Sequence, residues 1–165
     1  VRAPLLLALL GLVLALATLP LAHQVAPRQV TPLLIIDGFA LFYMGLVFAA
    51  TFAVVVFSFA YFSRGGADHD HRPIYILLLL AALGSAVLVA ASHFATFLLG
   101  LELLSVSLFA LIAFARHAPR ALEAAIKYLV LAVLYSAFLL FGLTLTSADQ
   151  GIPPFLLLAG LPQAV

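Results

Sequence analysis

The chain has 165 residues, of which 67% are hydrophobic and 8% charged, with a formal net charge of +1. A mean hydropathy of +1.31 is more apolar surface than a soluble domain of this size can bury, so the composition specifies an integral membrane protein. The absence of cysteine excludes disulfides, thiol catalysis and cysteine-held clusters within the chain. The near-neutral charge gives no reason to expect nucleic-acid binding.

Five hydrophobic segments, at about 4–21, 39–62, 74–92, 94–115 and 122–146, approach the ~20 residues needed to cross a bilayer. None alternates in the manner of a barrel strand. The predicted fold is therefore all-α, a polytopic transmembrane bundle of about five spanning helices with a cytoplasmic N-terminus, followed by a non-spanning tail over 148–165.

The first segment carries Arg2, an apolar run and Pro20-Leu21-Ala22. A cleavable leader is the alternative reading of it, but the small-residue cleavage pattern is poor and a first span fits better. A linker at 23–32 leads to Asp37, just before the second segment. An acidic residue there satisfies orphan helix amides and the helix dipole, so capping is favoured over a pathway role. The next linker holds Asp68-His69-Asp70-His71. Four adjacent metal-capable residues in a glycine-containing loop make a poor preformed site, and a solvated loop is favoured.

In the third segment Ala82, Ala86 and Ala90 repeat every four residues, a packing stripe that admits a neighbouring helix. His93 lies in the tight turn before the fourth segment. It is a candidate proton relay at an exit, although an interfacial histidine is more often structural. Glu102 and Lys127 are the charges within lipid-length apolar runs. Placing an ionised side chain at bilayer depth costs about 2.5–3.5 kcal/mol on insertion scales, so such residues mark ion or proton pathways by default. The plainer alternative is that they lock helices together or, for Lys127, snorkel to the headgroups.

Depth follows from helix rise. Lys127 is five residues into its segment, about 8 Å from one end, and Glu102 is eight residues into its own from the opposite end, about 12 Å deep. In a core of ~30 Å the two charges are offset along the membrane normal by about 10 Å, so a direct salt bridge between them is not expected. Glu123 stands four residues before Lys127, the favoured order for a pair on one helix face. No comparable cation accompanies Glu102; Ser105, one turn on, is a hydroxyl able to donate a hydrogen bond to it. Arg2, Arg64, Arg72, Arg116 and Arg120 fall on one side and Arg28 on the other. That imbalance places the arginine-rich side in the cytoplasm.

The segments Ile36-Asp37-Gly38-Phe39-Ala40, Ser92-His93-Phe94-Ala95, Leu99-Gly100-Leu101-Glu102-Leu103-Leu104-Ser105 and Leu122-Glu123-Ala124-Ala125-Ile126-Lys127-Tyr128 occur in this order. In this they resemble the subunit N family of bacterial NADH–quinone oxidoreductase, respiratory complex I. Those antiporter-like membrane subunits are related to the Mrp cation/proton antiporters. The resemblance runs from about Val30 to Ser147. It implies that Glu102 and Lys127 match the glutamate of the family's fifth helix and the lysine of its sixth, two members of a proton-conducting chain. It implies the other membrane subunits and the lipid bilayer as partners, and a multi-pass location in the bacterial inner membrane.

The resemblance also implies NAD(H), FMN, iron–sulfur clusters and quinone for the whole complex. This chain shows no phosphate loop, catalytic triad or haem motif, and no cofactor is expected in it. Family members have about fourteen helices, and the lysine that partners the glutamate lies on a helix beyond the end of this chain. With Val1 in place of Met, the expectation is an N-terminal-side fragment or truncated product that would not pump alone. Two other readings stand beside it: a subunit of an Mrp-type antiporter or membrane-bound hydrogenase, and a noncatalytic helix-packing subunit.

Overall fold

A computed structural model describes residues 2–31, 33–64, 72–114 and 120–150. The chain runs α1 (Arg2–His23), β1 (Arg28–Thr31), β2 (Leu34–Ile36), α2 (Gly38–Arg64), α3 (Arg72–Ala90), α4 (Phe94–Phe114) and α5 (Ala121–Gln150). Five of these helices are long and apolar enough to cross a membrane, as the hydropathy pattern requires. α5 continues to Gln150, so the start of the expected tail at 148–150 is helical, and 151–165 lie outside the described residues. The Asp68–His71 loop residues and Arg116 also lie outside them.

The small sheet is an addition to the all-helical expectation. Within and just beyond the linker read at 23–32, β1 and β2 pair antiparallel, with Arg28 opposite Ile36 and Gln29 opposite Ile35. Val30, Thr31, Ile35 and Ile36 are β-branched, and their side chains fit a pleated surface better than a helix turn. A two-stranded hairpin is marginal by itself. This one is docked: Leu34 bridges to Ala91, and the Ser92 amide donates to the Leu33 carbonyl at 3.1 Å. The hairpin thereby ties the α1–α2 connection to the α3–α4 turn, at the end of the bundle opposite the helix-terminal Arg64, Arg72 and Arg120.

Two modes of packing hold the helices. Leu5, Ala8 and Leu12 of α1 are buried with Val55 of α2 and Tyr75 of α3, and Phe48, Phe52 and Phe59 close around them. Side chains fill that interface. Between α3 and α4 the backbones themselves meet. A Cβ on Gly84 would lie 2.7 Å from the Leu104 nitrogen, and one on Gly100 would lie 2.8 Å from the Leu88 nitrogen. The stripe of Ala82, Ala86 and Ala90 is buried on the same helix. Small residues let two helices approach this closely, and dispersion between their backbones replaces the hydrophobic drive that lipid does not supply.

α5 leans on α4. Ala125 is fully buried, and Tyr128, Ala132, Ser136, Leu139 and Leu143 are half-buried behind it. This spacing of three and four residues traces one face of a helix. The remaining faces of α5 are largely exposed within the chain.

Candidate functional site

Each singled-out residue is placed by its own helix. Asp37 sits one residue before α2, where its Oδ1 accepts the Ala40 amide at 2.7 Å. Its carbonyl accepts the Leu41 amide at 3.0 Å. The side chain thus answers one of the orphan donors at the helix start. His93 holds the matching position before α4. Its Nδ1 accepts the Ala95 amide at 3.2 Å, and its carbonyl accepts the Phe97 amide at 3.1 Å. Both residues lie at the hairpin end and shape helix starts there.

Glu102 lies on α4 at the seam with α5 and is half-buried. Gly100, two residues before it, is pressed against α3, so this stretch of α4 is held on one side by backbone contact. On the other side the Ser136 hydroxyl of α5 donates to Glu102 Oε1. The candidate donor read from the sequence was Ser105, one turn along α4. The structure corrects this: the hydroxyl arrives from the neighbouring helix, because the carboxylate points into the seam rather than along its own helix. Ser136 was missed because it is 34 residues from Glu102, and only the pairing of α4 with α5 brings the two together.

Lys127 and Glu123 form the expected local pair, with Nζ to Oε1 at 2.5 Å. Their side chains are 70% and 59% exposed within the chain. Ala125, between them in sequence, faces α4, so residues two positions away point outward at 100° per residue.

The structure therefore does not bring Glu102 and Lys127 together. Ser136 marks the level of Glu102 on α5, and Lys127 is nine residues before it. Nine residues are about 13 Å along the axis and about half a turn around it. The two charges differ in depth, as expected, and also lie on opposite sides of α5. One is a carboxylate held by a hydroxyl in a helix seam. The other is an ammonium tethered to a carboxylate on an apolar helix's outward face. Among the described residues no group of three or more histidine, aspartate or glutamate side chains is placed to hold a metal.

Comparison with known proteins finds relatives along most of the chain. A family model described as NADH:quinone oxidoreductase/Mrp antiporter, TM, matches residues 91–160, which include both Glu102 and Lys127. NADH-quinone oxidoreductase subunit N of Methylococcus capsulatus is 45% identical over 145 residues, which is 88% of this chain and 29% of that protein. Among solved structures, a chain in respiratory complex I from Thermus thermophilus with bound aureothin matches with a TM-score of 0.75 and 32% identity. That match covers 89% of this chain and 31% of the other. The chain thus spans about a third of the length of the relatives it resembles.

Proposed function

The chain belongs to the antiporter-like membrane-subunit family of NADH–quinone oxidoreductases, in its subunit N branch, and from that premise we propose that it carries part of a proton path through the membrane arm of such a complex. The observation that carries the reading is the seating of Glu102. A carboxylate at mid-span, bonded to a hydroxyl across a helix seam and with no cation beside it among the described residues, is the kind of intramembrane ionisable group that marks a proton pathway. A purely structural ion pair would be built differently, with its counter-charge alongside.

In this reading Glu102 and Lys127 are two stations of one path, and the driving redox chemistry belongs to other subunits. NAD(H), FMN, iron–sulfur clusters and quinone act there, and this chain contributes charge placement and exclusion of lipid. Its partners are the other membrane subunits and the bilayer. The arginine-bearing helix ends face the cytoplasm of a bacterial cell by the positive-inside imbalance, and the hairpin end faces away. The related Mrp-type antiporter reading uses the same helices and the same two charges. It differs in needing no redox partner, so quinone-reductase activity of the purified complex separates the two.

The test is Glu102→Gln in the assembled complex, read as proton pumping per electron pair in proteoliposomes. Loss of pumping with the subunits still co-purifying supports the pathway. Normal pumping removes Glu102 from it, and a complex that no longer assembles assigns Glu102 to helix packing.

A further inference from the structure

Serine and threonine in a membrane helix ordinarily return their proton to their own backbone. Thr51 donates to the Val47 carbonyl at 2.8 Å, Ser85 to Ala81 at 2.9 Å, Ser107 to Leu103 at 2.6 Å and Thr144 to Leu140 at 2.6 Å. Each bond stays within one turn. Ser136 departs from this pattern. A hydroxyl has a single proton, and that of Ser136 goes across the seam to Glu102, leaving the backbone carbonyl one turn back without it. The carboxylate gains a charge-assisted donor, roughly twice as strong as a neutral one.

We propose that Ser136 is the positioning residue of Glu102: its hydroxyl, carried on α5, fixes the carboxylate in the α4–α5 seam and sets the orientation in which it exchanges a proton. The hydroxyl is suited to both states of the glutamate. It donates to the ionised carboxylate, and after a half-rotation about Cβ–Oγ it accepts from the protonated acid. The seam therefore keeps one geometry through the cycle.

The inference rests on the proton-path reading for its consequence but not for its geometry, and two measurements separate them. The first is infrared difference spectroscopy of the complex in lipid, with the Glu102 carboxyl band assigned by its disappearance in Glu102→Gln. Ser136→Ala is expected to shift that band to the frequency of a carboxyl that has lost a donor, and Ser136→Thr to leave it in place. The second is pumping. Ser136→Ala is expected to slow it by about tenfold, in line with a hydrogen bond to a charged group, while Ser136→Thr stays within about twofold of the parent. If alanine prevents assembly, Ser136→Cys, which keeps the volume but donates weakly, gives the same comparison. An unmoved Glu102 band in the alanine or cysteine variant overturns the positioning role. Normal pumping by Glu102→Gln overturns the path reading instead and leaves the band shift as the test of the contact.

Discussion

At the scale of single residues, the legible contacts are the local ones. The Asp37 cap and the Glu123–Lys127 pair each join residues three or four apart, a distance over which helix geometry alone dictates contact. Removing the cap separates its two readings. Asp37→Ala should lower stability by about 1 kcal/mol, and Asp37→Asn, an equally good cap, should cost almost nothing. Thermal unfolding in detergent measures the first effect. A proton-path role would instead make the asparagine variant fail in pumping while its stability held. The Ser136–Glu102 bond was not legible, since no local rule says which of the many hydroxyls in an apolar chain will face a given carboxylate. Ser105 was the natural expectation on α4 itself, and helix pairing overrode it.

At the scale of the elements, five spans were written in the hydropathy and their ends were set by Pro, Gly and Arg punctuation. The small-residue stripe on α3 was legible as a packing face. Which glycines make the closest approach was not, because glycine in a single helix carries no mark of what it faces. The hairpin escaped notice because strands of three and four residues vanish beneath a search for lipid-length runs. The glycine contact makes a sharp prediction. Gly84→Ala and Gly100→Ala each drive a methyl into the opposing backbone, and a backbone cannot rotate out of the way. Overpacking of this kind costs about 1–3 kcal/mol and should lower the midpoint of thermal unfolding. Gly11→Ala meets nothing within 4 Å and should leave the midpoint unchanged or slightly raised. Equal effects at all three positions would mean that the α3–α4 contact is not the determinant.

At the scale of the whole molecule, the lack of cysteine makes orientation directly measurable. Thr31 in β1 and Arg120 just before α5 are both exposed and lie at opposite ends of the bundle. In right-side-out membrane vesicles, a membrane-impermeant maleimide should label Thr31→Cys at once and Arg120→Cys only after permeabilisation. The reverse pattern would invert the topology drawn from the arginines. The depth difference between the two intramembrane charges was available from helix rise, but their placement on opposite sides of α5 was not. That required knowing that Ala125 turns toward α4.

This last placement makes α5 a partition. A proton at Glu102 has no hydrogen-bonded route through the helix to Lys127, since every backbone amide within it is already committed to its own ladder. What crosses the helix is the electric field. With about 10 Å of helix width and about 13 Å of depth between them, the charges stand roughly 16 Å apart. At an effective dielectric near 20 their interaction is about 1 kcal/mol. The two charges are thus coupled across the helix by field alone, while a proton passing between them has to go around α5.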